Sequence, residues 1–247
     1  MAFDAPLGRT REYVEIVRTA LDRRTLRYDG RHFTLPLPHG AGKPLRLSVA
    51  PTHHRVPVYL AAVGPRNLEL AGELADGWLG VFASPDYLHE QREAIGRGLS
   101  RRGPESPEER RDFELDVTVP VVVDPDVSRA ARAVAPYAAL YVGGMGSREH
   151  NFYNALAVRM GYGTAAASIQ DLYLDKQWRA AADAVPEEFV DDTSLLGDVP
   201  RVRSRMQRYA DAGVSTLTIA PWGESLSSRM ASLEGAVEAA SQLEVPA

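Results

Sequence analysis

One pattern narrows the fold more than any other: an apolar, strand-like run that passes directly into a helix, twice in succession. Residues 58–63 (VYLAAV) are continuously apolar, Gly64-Pro65 interrupts them, and RNLELAGELA follows with leucine and alanine at helical spacing. Asp76-Gly77 then turns the chain into a second apolar run, 78–82, after which Ser84-Pro85 offers an N-cap and an N1 proline for a helix predicted to reach Leu99. Strands without alternation, each followed by a helix, are the mark of a parallel sheet in an α/β protein.

The rhythm continues downstream. Residues 115–123 (LDVTVPVVV) predict a third strand, leading into an alanine-rich helix from Ser128 that Pro136 is expected to break or kink. YVGGMGSREHNFYNAL, residues 141–156, reads as a glycine loop feeding helical material through about Ala184. Asp198 or a neighbour is expected to cap a helix with Val202, Met206, Tyr209 and Ala210 on one face, Gly213 stops it, and residues 214–220 form a fourth strand. Upstream, Tyr13, Ile16, Val17 and Ala20 form an apolar stripe on a helix over 10–21, with Glu12 and Arg18 outward. Residues 32–37 and 44–49 bracket a Pro/Gly-rich loop, an irregular hairpin excursion over 30–55. Four parallel-type strands suit an open doubly wound sheet and fall short of the eight in a closed (β/α) barrel.

The chain has no cysteine, which excludes disulfides, thiolate metal sites and a cysteine nucleophile and favours a reducing cytoplasm. Net charge is −5 with arginine dispersed among acids, so no nucleic-acid footprint is expected. The longest charge-free stretch, 133–147, is broken by Pro136, Gly143, Gly144 and Gly146, so no membrane span is expected, and the N-terminus lacks the apolar segment of a secretory signal. A cytoplasmic protein with small-molecule partners is the expectation.

Among residues that carry chemistry, Gly64-Pro65-Arg66 stands out. Free N–H groups and the dipole at a helix start favour an anion, Gly64 lets a ligand approach the backbone, and Arg66 adds a charged fork. The same tripeptide also serves as plain punctuation, but its place at a strand's C-terminal end is where α/β proteins bind ligands. The Gly143 to Arg148 loop matches neither a P-loop nor a dinucleotide fingerprint, and reads equally as a hinge or as a pocket wall with Tyr141, Arg148 and Tyr153. His32, His39, His53, His54, His89 and His150 show no metal-ligand spacing. The acids Glu187-Glu188 and Asp191-Asp192 diverge in direction and read as solvated surface. Ser147, Ser194 and Ser225 lie outside any nucleophile elbow. Trp78, Trp178 and Trp222 read as core or pocket-wall residues, with Trp222 nearest a ligand.

Residues 61–82 (AAVGPRNLELAGELADGWLGVF), 141–153 (YVGGMGSREHNFY) and 195–223 (LLGDVPRVRSRMQRYADAGVSTLTIAPWG) together resemble the deazaflavin-dependent branch of the luciferase-like monooxygenase superfamily. The resemblance implies a (β/α)8 TIM-barrel fold and an oxidoreductase that passes a hydride between coenzyme F420, or FMN in the flavin branch, and an organic substrate. It places Ala62, Val63, Gly64, Pro65 and Arg66 around the coenzyme's phosphate-bearing tail, with Gly80 bordering it, and Gly143 to Arg148 near the substrate side. Because relatives carry further strands ahead of the helix at Thr10, the chain is expected to hold about the C-terminal half of a barrel, as one partial domain over 1–247 with a helical insertion at 137–190. No catalytic residue is implied. Either Met1 is an incorrectly assigned start or a fragment boundary, or the short chain covers its strand edges by pairing with a second copy or another polypeptide. The alternatives are an FMN-dependent monooxygenase and a non-catalytic half-barrel that holds a phosphate-bearing ligand.

Overall fold

The computed structural model describes residues 4–49, 56–103 and 112–244; the His53-His54 pair and most of the charged segment after Arg101 lie outside the described residues. In chain order the elements are α1 (Pro6–Leu21), β1 (Tyr28–Asp29), β2 (Thr34–Leu35), β3 (Tyr59–Ala61), α2 (Pro65–Leu74), β4 (Gly77–Val81), α3 (Leu88–Leu99), β5 (Glu114–Val123) and α4 (Val127–Ala139). After a π-helical turn, Leu140–Gly144, come α5 (Phe152–Ala157), a second π turn at Val158–Tyr162, α6 (Gly163–Leu174), α7 (Trp178–Asp183) and α8 (Glu187–Asp192). The chain closes with β6 (Leu195–Gly197), α9 (Val199–Asp211), β7 (Thr216–Pro221) and α10 (Leu226–Ala240). One sheet runs β3-β4-β5-β6, with β7 also paired to β5. It has five strands among the described residues, one more than the four predicted. The addition is β6, a three-residue strand whose apolar run is too short to be told from the helix before it.

The chain divides into two compact units, the first formed by the described residues of Met1–Leu60, Pro65–Trp78 and Ala94–Phe113. Here α1 departs from the predicted face. Val14 and Glu12 are its buried residues, while Tyr13 is 60% exposed. Glu12 turns inward because its carboxylate accepts the backbone N–H groups of Arg31, His32 and Phe33 at 2.8, 2.9 and 2.9 Å, so a buried charge is fully partnered. Arg18 is inward as well, donating to the Leu74 carbonyl at 2.7 Å and to Asp76 at 3.0 Å. The predicted hairpin over 30–55 reduces to the antiparallel pair β1–β2 and a bridge between Leu26 and Leu45. The helices α2 and α3 approach through Gly72 and Gly98, whose missing side chains make room for the carbonyls of Ile95 and Glu69.

The second unit comprises Ala61–Gly64, Leu79–Glu93 and the described residues of Glu114–Ala247. Its centre is β5, parallel to β6 through Val121↔Leu195 and Val123↔Gly197, and parallel to β7 from Asp116↔Thr216 to Val121↔Pro221. Val117, Val119 and Val121 on one face of β5 are fully buried, and each contributes about 1.5–3 kcal/mol by leaving water. The opposite face carries Asp116 and Thr118, and Thr218 of β7 donates to Asp116 at 2.8 Å. Side chains of Asp126, Asn151, Asp198 and Ser225 cap α4, α5, α9 and α10.

Several local expectations are corrected here. Pro136 does not break α4, which continues past it to Ala139. The helix α3 begins at Leu88 rather than at Pro85, after a turn in which Ser84 accepts from Asp86 N–H. Gly143 and Gly144 are not a loop; they finish the π turn, packed against the Tyr173 side chain and the Ile169 carbonyl of α6. Asp191 and Asp192 are not free surface acids. Asp191 forms a two-bond pair with Arg201 at 2.9 and 2.8 Å, and Asp192 accepts from the Tyr162 hydroxyl at 2.9 Å. Of the tryptophans expected in the core or a pocket wall, Trp78 is buried, while Trp178 is 61% exposed and lines a cavity of about 600 Å³ beside α4.

Candidate functional site

The turn from β3 to α2 is built by its local sequence. The strand stops at Ala61, Ala62 is buried, and Val63 packs against the hydrophobic core of the second unit. Pro65 opens α2 at N1, where it loses no hydrogen bond and its fixed φ suits the helix. A Cβ built on Gly64 would meet no atom within 4 Å, so the backbone here faces open space. The first-turn N–H groups of α2 have no intrahelical partners, and a helix start of this kind accepts an anionic oxygen. Gly80 is buried in the middle of β4 and offers its backbone rather than a side chain. Arg66 is exposed, forms no hydrogen bond or ion pair among the described residues, and lines a groove of about 290 Å³ with Leu7, Arg11, Glu69, Glu73 and Arg101.

One residue at this turn has no signal in the sequence. Arg159, on the π turn Val158–Tyr162, donates from Nη2 to the Val63 carbonyl at 3.2 Å, across 96 positions of chain. Gly161, two residues on, has φ 95, so the turn leaves helical geometry where Arg159 projects. Tyr87 lies close by; burial pushes its phenol up and the Arg159 cation draws it back.

A second group gathers at the C-terminal ends of β4 and β7. Phe82, just past β4, is buried and held at φ 54, a left-handed conformation that a bulky residue keeps only where its surroundings enforce it. Around it stand Tyr137 (centroids 5.2 Å apart, stacked), Tyr141 (5.4 Å, edge-on) and Tyr153 (6.0 Å, edge-on). Trp222, just past β7, meets Tyr137 at 5.2 Å. The structure thus unites Tyr141 and Tyr153, at 4.8 Å. Asn151 does this work: its Oδ1 accepts from the N–H groups of Tyr153 and Asn154 at 2.9 and 3.0 Å, while its Nδ2 donates to the carbonyls of Tyr141 and Val142 at 2.9 and 3.0 Å. A π turn frees carbonyls from their usual helical partners, and the buried amide takes them up. Arg148 stands apart from the rings, its guanidinium engaged by Asp171 in an exposed pair. Burial, with Tyr141 alongside, holds the Tyr137 and Tyr153 phenols above their ordinary range.

Among the described residues no group of three or more His, Asp and Glu side chains has the arrangement of a metal site, and no helix is long and apolar enough to cross a membrane.

A family model for luciferase-like monooxygenases matches residues 1–216. A Mycobacterium tuberculosis protein named among coenzyme F420-dependent oxidoreductases is 37% identical over 222 residues, which are 88% of this chain and 63% of that protein. A 5,10-methylenetetrahydromethanopterin reductase of Archaeoglobus fulgidus is 28% identical over 217 residues, 87% of this chain and 60% of its own length. The solved structure of the coenzyme F420 dependent tetrahydromethanopterin reductase from Methanopyrus kandleri matches with a TM-score of 0.71 at 23% identity, covering 97% of this chain and 62% of that one. The chain therefore spans somewhat less than two thirds of the length of these similar proteins.

Proposed function

The chain belongs to the luciferase-like monooxygenase family, and from that premise we propose that it is an oxidoreductase that passes a hydride between coenzyme F420 and an organic substrate. On this reading the five-stranded sheet is part of a (β/α)8 barrel. The coenzyme's phosphate-bearing tail lies at Ala62, Val63, Gly64, Pro65 and Arg66, with Gly80 bordering it. The observation that carries the reading is the open face of Gly64 at the head of α2, beside a valine carbonyl already held by an arginine. Support comes also from the relative at 37% identity, whose name specifies the same coenzyme.

When bound, the deazaflavin supplies the hydride chemistry. The chain's own residues bind and orient. First-turn N–H groups of α2 and the Arg66 guanidinium hold the anionic tail by charge-assisted hydrogen bonds. Arg159 fixes the Val63 carbonyl and so the path of the turn. Tyr141 and Tyr153 wall the substrate side, while Arg148, paired with Asp171, takes no part in it.

Titration of the purified chain with coenzyme F420 and, separately, with FMN tests the proposal. Saturable binding of the deazaflavin is expected, weakened roughly tenfold to a hundredfold in Arg66→Ala by loss of about 1.5–3 kcal/mol. Preference for FMN, or equal affinity of wild type and Arg66→Ala, would overturn the coenzyme or the site.

A further inference from the structure

We propose that the aromatic shelf formed by Phe82, Tyr137, Tyr141, Tyr153 and Trp222 binds the substrate, and that this substrate is a flat, uncharged, conjugated carbonyl compound. The inference rests on the oxidoreductase reading above and adds a substrate class to it.

Four observations carry it. The rings converge at the C-terminal ends of β4 and β7, the end at which parallel sheets bind ligands, and Val63 at the end of β3 packs on the same core. Phe82 is buried, but Tyr137, Tyr141, Tyr153 and Trp222 are each only half-buried, so the rings around this rigid floor keep part of their surface in solvent. The strained φ of Phe82 and the fourfold use of the Asn151 amide fix ring positions in a way that ordinary core packing does not require. Finally, the chemistry presented is neutral. No arginine, lysine or carboxylate hydrogen-bonds to the hydroxyls of Tyr137, Tyr141 or Tyr153 among the described residues, and the Tyr153 hydroxyl has no protein acceptor there.

A surface of π faces with phenolic donors and no counter-charge selects by shape and by one hydrogen bond. A planar conjugated ring stacks offset or edge-on with the shelf, and its carbonyl oxygen accepts from Tyr153. A carboxylate would lose hydration with no cation to replace it. A saturated, puckered ring would lose the stacking contact.

The test uses the full chain and three probes: 1,4-naphthoquinone, the anion 2-naphthoate and the saturated ketone decalone. The absence of cysteine removes the usual covalent reaction of the quinone with thiols. Binding is read by equilibrium dialysis and by quenching of tryptophan fluorescence, without coenzyme. Naphthoquinone is expected to bind at least tenfold more tightly than either comparison probe. Its affinity should fall tenfold or more in Trp222→Leu and Tyr141→Leu, and a few-fold in Tyr153→Phe, which keeps the ring and loses the donor. Trp222→Phe should retain most of the affinity, which separates lost stacking from a damaged fold. Equal affinity in wild type and the leucine variants, or preference for naphthoate or decalone, would overturn the proposal. So would leucine variants that lose coenzyme affinity while keeping quinone affinity, since the shelf would then hold the deazaflavin. A chain that binds naphthoquinone on the shelf but no F420 leaves the flat-ligand site standing and removes the oxidoreductase reading; the reverse removes the shelf alone.

Discussion

Replacing Asn151 by alanine should be among the more damaging single changes at the candidate site, although the residue has no charge and touches no reacting group. Its side chain makes four hydrogen bonds while 5% exposed. Loss of the cap on α5 costs about 1 kcal/mol. On the donor side the two carbonyls fare differently. Val142 keeps a second bond from Asn154 Nδ2 at 3.1 Å, whereas among the described residues no other side chain donates to the Tyr141 carbonyl, which is left in a partly buried position at roughly 1–3 kcal/mol. The total is about 2–4 kcal/mol. At a urea slope of about 2–3 kcal/mol per M, the unfolding midpoint drops by roughly 1 M. Asn151→Asp discriminates further, because it keeps the cap acceptor but turns an anion toward two carbonyls, so it should lose at least as much. Urea unfolding followed by far-UV circular dichroism gives the stability, and near-UV dichroism reports the tyrosine cluster that the amide anchors. A loss below about 0.5 kcal/mol in Asn151→Ala, or wild-type stability in Asn151→Asp, would refute the reasoning.

Three other outcomes follow from the same structure. Gly98→Ala gains about 1 kcal/mol of helix propensity but drives a methyl into the Glu69 carbonyl, so net destabilisation of about 1–3 kcal/mol is expected by thermal unfolding. Gly96→Ala, two residues away on α3 with nothing within 4 Å of the new methyl, should instead stabilise by up to about 1 kcal/mol; variants that move together would contradict the helix crossing. Burial raises the Glu12 carboxylate, but the backbone donors His32, Phe33 and Arg31 outweigh it and leave it below its ordinary value of 4.5. A lowered carboxylate stabilises fully above that ordinary value and loses its contribution as pH falls through the lowered one, so Glu12→Gln should flatten the acid limb of stability, and an unchanged limb would count against the carboxylate's role. The Tyr28 phenol, held by Glu15 at 2.5 Å, is pushed up to about 12; its contribution is present below pH 10 and fades from there to about 12, which phenolate absorbance in wild type and Glu15→Gln can follow.

How much of this the sequence could carry depends on the range of the interactions involved. The βα rhythm at 58–82 and the caps at Asp198 and Gly213 were legible because strand runs, caps and stops are local. The inward turn of Glu12 and Arg18 was not, since hydrophobic periodicity marks polar residues as outward and says nothing of distant backbone groups that satisfy them. The π turn at Leu140–Gly144 was hidden for a related reason: its Tyr141 and Val142 carbonyls take their side-chain partners from Asn151 and Asn154, about ten residues on. At the candidate site, Gly64-Pro65-Arg66 was visible as a strand end meeting a helix start. Arg159 was not, because only the fold brings its guanidinium to Val63. Tyr141 and Tyr153 were found from sequence, but Phe82, Tyr137 and their shared geometry were not.

The central claim is that the open backbone at Gly64 receives the anionic end of a redox coenzyme, and titration of wild type and Gly64→Val with coenzyme F420 tests it most directly. No atom of the described residues lies within 4 Å of the position a Cβ would take, so the variant should unfold at the same urea midpoint as wild type. Its affinity for the coenzyme should nevertheless fall at least tenfold, because the new side chain occupies the ligand's space. Equal affinity in the two proteins would contradict the account, and so would a wild-type chain that does not bind F420 at all.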